Sequence, residues 1–270
     1  MNYKLASSSW GEEEIRAIHE VIDSDHYSMG PRVYSYEKEF SGFFGSNYAV
    51  MCSSGSTANL LMIASLFFTK SPKLKRGDEI IVPAVSWSTT YFPLQQYGLH
   101  VKFVDIDIDT LNFDLKELKT AITDKTKAVL TVNLLGNSND FDEIKSIIAG
   151  RDIILLEDNC ESMGAKYNDQ FTGTFGLIGT FSSFFSHHIS TMEGGMVVTD
   201  NEEIYHILLC LRAHGWTRNL PNENHVTKKS DNQFVESFRF VLPGYNVRPL
   251  EMSGAIGTQQ LLKLPDFLKQ

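Results

Sequence analysis

The stretch Ser53–Thr57 is the first part of this sequence whose residue types and spacing could do chemistry. It follows the apolar run YAVMC and opens an apolar helix. Free backbone N–H groups at a helix N-terminus, together with the helix dipole and serine hydroxyls, can receive a phosphate group. A glycine–serine turn that only caps a helix would have the same residues. The stretch by itself therefore leaves both interpretations open.

Three acids, Glu157, Asp158 and Glu161, cluster at the end of the run IILLED, which is too apolar to be anything but a buried strand. Burying a carboxylate costs several kcal/mol unless it has a partner, so we expect Asp158 to face a cation. A protonated pyridine nitrogen is one such cation, and this pairing makes pyridoxal phosphate (PLP) an electron sink. Pairing with an arginine or with backbone donors is the alternative.

Two adjacent histidines, His187 and His188, lie between the aromatic run FSSFF and a Glu-Gly-Gly sequence. Adjacent side chains of an extended segment point to opposite sides, so only one histidine can face a given ligand. A histidine with an ordinary pKa near about 6.5 can remove and return a proton at neutral pH. A structural pair and a fragment of a metal site are the alternatives. Trp87 could likewise stack on a flat ring or belong to the core.

Short apolar runs alternate with helical stretches after Gly45. This alternation predicts an α/β fold with a mostly parallel sheet flanked by helices. The predicted strands contain YAVMC, EIIVPA, HVKFVD, KAVLTVNLL, IILLED, GTFSSFF and GGMVVTD. The predicted crossover helices span residues 57–68, 89–97, 115–121, 141–149 and 202–213. In such sheets ligands bind at the carboxyl ends of the strands, where the polar residues above are expected to meet.

The sequence divides into three parts. Residues 1–44 are predicted to form an N-terminal helical arm, with one helix over Glu12–Ser24 capped by Ser9 and a second over Pro31–Phe44. Residues 45–245 are predicted to form the α/β domain, in which 219–240 is a long loop or irregular hairpin. Residues 246–270 begin a helix whose pattern is strong up to Leu262 and then stops without a cap.

Charge and composition exclude several classes of protein. The net charge of −9 argues against binding nucleic acid through its phosphates. No apolar segment approaches the length of a membrane span, and the N-terminus does not resemble a signal peptide, so we expect a cytoplasmic protein. Three widely separated cysteines predict neither disulfides nor a zinc or iron–sulfur site, and no metal site is expected.

Six motifs, taken together and in this order, resemble the sugar-nucleotide branch of the PLP aminotransferases, the DegT/DnrJ/EryC1/StrS type. They are SSGSTANLL, EIIVPAVSWSTT, LEDNCESMGA, SSFFSHHISTMEGGMVVTD, LRAHGW and LPGYNVRPLEMSGAIGTQQL. The resemblance spans nearly the whole chain. It implies the large domain of a fold-type I aminotransferase, with the small C-terminal domain of that fold apparently truncated.

One position departs from the aminotransferases of this family. They have a lysine six residues before Glu-Gly-Gly that binds PLP covalently, and here that residue is His187, with no lysine between Lys166 and Lys228. Histidine at this position resembles the dehydratases of the family. The resemblance implies a non-covalently held PLP or pyridoxamine phosphate (PMP). It also implies C3 dehydration of a GDP-4-keto-6-deoxyhexose such as GDP-4-keto-6-deoxymannose in colitose and O-antigen synthesis, with L-glutamate regenerating PMP.

The family motifs also assign roles to individual residues. His187 matches the catalytic position, and Asp158 matches the partner of the pyridine nitrogen. The other cofactor contacts implied are Gly55, Ser56, Trp87, Glu161, Ser182 and Asn246. The substrate contacts implied are Ser186, His188, His214, Arg218 and Arg248. Asn246 and Arg248 match residues that reach the neighbouring subunit, which implies a homodimer with shared active sites.

Two other functions compete with dehydration. One is an ordinary nucleotide-sugar aminotransferase, against which His187 argues. The other is a truncated, inactive protein that binds the cofactor or a nucleotide-sugar without turnover, because a chain without the small domain would leave apolar surface uncovered.

Overall fold

A seven-stranded sheet forms the centre of the protein in the computed structural model, which describes residues 6–269. The strand order is β1-β9-β8-β5-β4-β2-β3. These strands are β1 (Tyr48–Cys52), β2 (Glu79–Pro83), β3 (His100–Val104), β4 (Thr126–Val132), β5 (Ile154–Asp158), β8 (Ile178–Ser182) and β9 (Gly195–Thr199). Strands β6 (Lys166–Tyr167) and β7 (Gln170–Phe171) form a separate hairpin.

The direction of the strands confirms the predicted mostly parallel sheet. β9 pairs antiparallel with both β1 and β8, whereas the pairs β2–β3, β2–β4, β4–β5 and β5–β8 are all parallel. Among the described strands of this sheet, β9 therefore runs against the other six. The carboxyl ends of those six strands lie at one edge.

Helices cover both faces of the sheet. They are α1 (Glu12–Asp23), α2 (Pro31–Phe44), α3 (Gly55–Ser65), α4 (Ser88–Gln96), α5 (Leu115–Ala121), α6 (Phe141–Ile148), α7 (Glu202–Leu211), α8 (Gln233–Ser237) and α9 (Glu251–Phe267). Alternate strand residues face different cores: Leu130 of β4 packs in the core that contains α3 and α7, and Val129 packs in the core that contains α5 and α6. Burial on both faces explains why the strands are continuous apolar runs.

Three details of the predicted elements are wrong. Gly11, not Ser9, is the N-cap of α1, because the Glu14 carboxylate already accepts a hydrogen bond from the Gly11 N–H at 2.7 Å. Helix α9 continues past Leu262 to Phe267, since Pro265 near the helix end interrupts few hydrogen bonds. The long loop predicted over 219–240 contains α8, a short helix capped by Asn232.

Two kinds of feature are absent from residues 6–269. No helix there is both long and apolar enough to cross a membrane. Likewise, no group of three or more His, Cys, Asp or Glu side chains in this range is arranged to hold a metal ion.

Candidate active site

Four of the strands that share a direction end next to predicted site residues. Strand β1 leads into the loop Ser53–Ser54, β5 ends at Asp158, and β8 ends at Ser182. β2 is followed by a short turn that ends at Trp87, the N-cap of α4. Because these strands end at the same edge of the sheet, the structure gathers the residues into one region, as the sequence predicts.

The Asp158 carboxylate is buried and accepts three hydrogen bonds. It is only 4% exposed. Its Oδ2 accepts hydrogen bonds from Asn59 Nδ2 at 2.7 Å and from Thr90 Oγ1 at 2.8 Å, and its Oδ1 accepts one from the Cys160 N–H at 3.1 Å. These contacts fix the carboxylate without neutralising it. Among residues 6–269 neutral groups donate every one of these hydrogen bonds, so the alternative of an arginine partner is wrong, whereas a backbone donor is present at Cys160.

Asn59 and Thr90 are functional residues that the sequence analysis missed. Asn59 lies on α3 and Thr90 on α4, so two helices hold the carboxylate of a strand end. Asn59 Oδ1 in turn accepts a hydrogen bond from Thr180 Oγ1 at 2.6 Å. A buried asparagine within the apolar helix sequence ANLLMIAS was the signal that could have revealed this partner.

Glu157 does not belong to the same cluster, although it precedes Asp158 in the sequence. Its carboxylate accepts hydrogen bonds from the backbone N–H groups of Gly173, Phe175 and Gly176 at 2.6, 2.5 and 2.7 Å. Burial raises the pKa of Glu157 to about 7, although these donors lower it. Glu157 therefore holds the loop before β8, on the other side of β5.

Glu161 remains near Asp158, as predicted. It is half-buried and follows β5 by three residues. Burial and the neighbouring Asp158 carboxylate raise the pKa of Glu161, while the Leu135 N–H lowers it.

The loop after β1 approaches the end of β8 very closely. A Cβ atom added at Gly55 would lie 2.6 Å from Ser182 Cβ and 3.0 Å from Cys160 Sγ, so no larger residue fits there without a shift. Ser54 caps α3 by accepting from the Thr57 N–H at 3.2 Å. Ser56 Oγ donates to Thr89 Oγ1 at 2.9 Å, which brings the first turns of α3 and α4 together. Two helix N-termini and several hydroxyls therefore surround one point, an arrangement suited to a phosphate group.

Trp87 is 69% exposed, so it is not a core residue. Its carbonyl oxygen accepts a hydrogen bond from the Thr90 N–H at 3.0 Å, and Thr90 reaches Asp158. The Trp87 backbone is thus linked through Thr90 to the carboxylate, and much of the indole surface is uncovered, as a ring that stacks on a flat ligand requires.

His187 lies in a loop that begins directly after β8. The base of this loop is closed by the pairing of Ser183 and Thr191, whose hydroxyls are 2.6 Å apart. The His187 N–H donates to the Phe184 carbonyl at 2.9 Å. His187 is half-buried and His188 is exposed. The hydrogen bond to Phe184 makes this segment a turn and not the extended segment that the sequence analysis assumed, so the expectation that the two rings face different ligands stays a prediction.

The environment of His187 favours its neutral form. Burial lowers the pKa of His187, the neighbouring His188 lowers it further, and the Asp158 carboxylate raises it. A histidine whose pKa lies below the usual range is unprotonated at neutral pH, so it can accept a proton.

The remaining predicted contacts lie in two places. Ser186 is half-buried in the His187 loop. His214 and Arg218 are exposed, with the Arg218 guanidinium 3.7 Å from the centre of the Trp216 ring. Within residues 6–269, no hydrogen bond or ion pair joins His214 or Arg218 to Asp158 or His187.

Asn246 and Arg248 flank Val247, which contacts the loop after β1. Arg248 Nε donates to Asn246 Oδ1 at 3.1 Å, and the Val247 carbonyl between them accepts from the Ser53 N–H at 3.0 Å. Asn246 is exposed and Arg248 is half-buried. This segment therefore lies at the edge of the site with its polar side chains directed to the surface.

The geometry fits pyridoxal phosphate. Asp158 offers a buried carboxylate for a ring nitrogen, and the Gly55–Ser182 approach leaves the α3 N-terminus open to a phosphate. Trp87 offers a face for the ring. His187 lies in the loop that follows β8, beyond the strand end at Ser182.

Comparison with known proteins agrees with this fit. The DegT/DnrJ/EryC1/StrS aminotransferase family matches residues 8–270. GDP-4-keto-6-deoxy-D-mannose 3-dehydratase from Escherichia coli O55:H7 is 73% identical over 269 residues, which are 99% of this chain and 69% of that protein. The enzyme of the same name from Yersinia pseudotuberculosis is 70% identical over 270 residues, covering 100% of this chain and 69% of its own.

A solved structure gives the same result. The crystal structure of GDP-4-keto-6-deoxymannose-3-dehydratase with a trapped PLP–glutamate geminal diamine superposes with a TM-score of 0.97 at 74% identity. The match covers 98% of this chain and 69% of that one. The fold and the family expected from the six motifs are both confirmed. The chain belongs to the DegT/DnrJ/EryC1/StrS aminotransferase family.

Proposed function

We propose that this chain is a PLP/PMP-dependent dehydratase that removes the C3 hydroxyl of GDP-4-keto-6-deoxymannose and uses L-glutamate as its source of electrons. The balanced reaction converts the sugar nucleotide and glutamate into GDP-4-keto-3,6-dideoxymannose, 2-oxoglutarate and ammonia. The two electrons that replace the C–O bond by a C–H bond come from the oxidation of glutamate. No separate reductase is required.

The observation that carries this proposal is His187. Its spacing from Glu-Gly-Gly matches that of the covalent lysine, and it lies in the loop after β8, which ends at the same sheet edge as Asp158 and the Ser53–Thr57 stretch. Two relatives that are 70% and 73% identical to this chain over the aligned residues are named 3-dehydratases. A solved structure that is 74% identical to this chain over the matched residues contains a PLP–glutamate geminal diamine.

The residues that would hold the cofactor have distinct tasks. Asp158 would bind the protonated ring nitrogen, while Asn59 and Thr90 keep its carboxylate oriented. Ser56 and Ser182 would bind the phosphate beside Gly55. When bound, the cofactor supplies an amine for the C4 ketone and a ring that delocalises negative charge.

His187 would move the protons. Because its pKa is lowered, its imidazole would accept a proton from the carbon next to the cofactor ring and could return that proton to the leaving C3 hydroxyl. A lysine at this position would compete as a nucleophile. Histidine forms no stable Schiff base, so the amine remains available for the sugar.

We further propose a homodimer in which Asn246 and Arg248 contribute to the partner's site. Their surface position beside the Ser53 loop supports this assignment. Substrate contacts by Ser186, His188, His214 and Arg218, and a ring-hydroxyl contact by Glu161, remain proposals of the same kind. The place in colitose synthesis remains a prediction of the resemblance, and the cytoplasmic location remains a prediction from the sequence.

A product assay tests the function. Purified protein is incubated with PLP, glutamate and GDP-4-keto-6-deoxymannose without a reductase, and the sugar is analysed by mass spectrometry. We expect loss of one oxygen from the sugar and one ammonia released per turnover. Nitrogen retained on the sugar would instead show an aminotransferase, and no conversion would support an inactive binding protein.

A further inference from the structure

Ser190, in the His187 loop, has both of its backbone polar groups held by side chains from distant parts of the chain. Its N–H donates to Gln260 Oε1 at 3.0 Å. Its carbonyl oxygen accepts from the indole Nε1–H of Trp10 at 2.9 Å. Gln260 lies on α9 and Trp10 precedes α1, so two separate elements hold the backbone of one residue of the loop, on both of the peptide groups that flank its Cα.

Gln260 is built into a network that leaves it one orientation. It is fully buried, and its Oε1 also accepts from Ser9 Oγ at 2.6 Å. Its Nε2 donates to Glu14 Oε1 at 2.7 Å and to the Ser9 carbonyl at 3.2 Å. Lys263 Nζ pairs with Glu14 Oε2 at 2.7 Å and completes the network. Because both ends of the amide are engaged, rotation of Gln260 would break buried hydrogen bonds.

This network acts on the loop close to His187. Ser190 follows His187 by three residues, and Ile189 between them is fully buried in the core that contains α2. On the N-terminal side of His187, its backbone N–H donates a hydrogen bond to the Phe184 carbonyl. The backbone around His187 is thus fixed before and after the histidine, while its ring stays half-buried.

We infer that Trp10 and Gln260 are positioning residues for proton transfer by His187, an inference that rests on the proposed function. A group that moves a proton must lie within hydrogen-bond reach of the reacting atom, and a displacement of about 1 Å can cost about 100-fold in rate. Neither side chain needs to touch the cofactor. Each acts by holding the backbone of Ser190.

Two variants test the inference independently. Trp10→Phe removes the indole N–H but keeps an aromatic ring, and Gln260→Met removes the amide but keeps the length of the side chain. Trp10→Phe changes a half-buried side chain, so it tests the inference even where Gln260→Met impairs folding. Glu251→Gln is the matched control, because Glu251 is a buried polar residue of the same helix whose carboxylate instead accepts from Gly30 and Arg32, each at 2.6 Å.

The first readout needs no cofactor. Hydrogen–deuterium exchange of the apoprotein is measured over residues 184–191. We expect faster exchange in Trp10→Phe and Gln260→Met than in the wild type, and unchanged exchange in Glu251→Gln.

The second readout separates positioning from stability. The conversion of PLP to PMP by saturating glutamate should slow at least about tenfold in both variants. The dissociation constant of PLP should stay within about twofold of the wild-type value, because neither residue contacts Ser53–Thr57 or Asp158. Exchange of 184–191 that matches the wild type, or conversion as fast as in Glu251→Gln, would overturn the inference. A wild-type protein that converts no PLP would refute the proposed function, whereas the exchange comparison would still decide whether Trp10 and Gln260 hold the loop.

Discussion

Glu157 and Asp158 are adjacent in the sequence, yet their carboxylates serve different parts of the molecule. Asp158 accepts hydrogen bonds from Asn59 and Thr90 at the candidate cofactor site. Glu157 instead accepts hydrogen bonds from three backbone N–H groups within residues 173–176. The pleat of β5 directs them to opposite faces. Substitutions at the two positions should therefore fail in different ways.

Asp158→Asn should abolish most activity while the protein remains folded. The amide oxygen can still accept from Asn59 or Thr90, but the negative charge that would stabilise a protonated ring nitrogen is lost. We expect the rate with saturating cofactor to fall about 100-fold or more, the range seen when one electrostatic contact to a reacting group is removed. Asp152→Asn, at an exposed ion pair with Lys127, is the control. A variant as active as that control would contradict the assigned role.

Glu157→Gln should reduce stability rather than chemistry. The carboxamide loses one acceptor oxygen, so a backbone N–H of the 173–176 loop is left without a partner. We expect a loss of about 1–3 kcal/mol in the free energy of unfolding, measured by urea denaturation. Cofactor affinity should match the wild type, and a large loss of PLP binding without a loss of stability would reverse the two assignments.

The same glutamate should also shape the pH dependence of stability. Its pKa in the folded protein is about 7 and its ordinary value is 4.5, so the folded state binds the proton more tightly. This group therefore makes the unfolding free energy fall as pH rises from 4.5 to about 7. The Glu157→Gln variant should lack that component, and an identical slope in both proteins across this window would contradict it.

His188→Gln should shift the acid limb of the pH–rate profile. A neutral neighbour no longer lowers the pKa of His187, so we expect the limb for conversion of PLP by glutamate to move to higher pH. In the wild type this limb should lie below about 6.5, because the pKa of His187 is lowered from that value. His19→Gln, on the exposed side of α1, should leave the profile in place. An unchanged limb in His188→Gln would remove His187 as the titrating group.

His187→Lys should convert the site from non-covalent to covalent cofactor binding. A lysine here can bond to PLP, and after borohydride reduction the cofactor should remain attached to the denatured protein. Sugar dehydration should be lost at the same time. Full dehydratase activity in this variant would show that His187 has no special part in the reaction.

The sequence predicted the residues at strand ends because apolar runs followed by polar groups mark them directly. Gly55, Asp158 and His187 were identified in this way, whereas Ser182 was implied by the family motifs, and the sheet brings their elements to one edge. Successive side chains of a strand point to opposite faces, so the sequence also implied that Glu157 and Asp158 face opposite sides. They were nevertheless grouped in the sequence analysis.

The partners of these residues were not predictable in the same way. Asn59 and Asp158 are 99 positions apart, and Ser190 and Gln260 are 70 apart, so no local pattern connects them. Ser9 shows the same limit, because it has the right type for a helix cap but bonds to Gln260 on a distant helix. Pairings of this kind depend on how helices pack on the sheet.

The most direct test of the central claim is a single-turnover measurement on His187→Asn. The protein is loaded with PLP and mixed with saturating glutamate, and the conversion to PMP is followed by absorbance. We predict that the variant binds PLP with an affinity within about threefold of the wild type, because its phosphate and ring contacts are retained. Conversion should be slower by about 100-fold or more, the usual contribution of a general base. Conversion at the wild-type rate would contradict the assignment of proton transfer to His187.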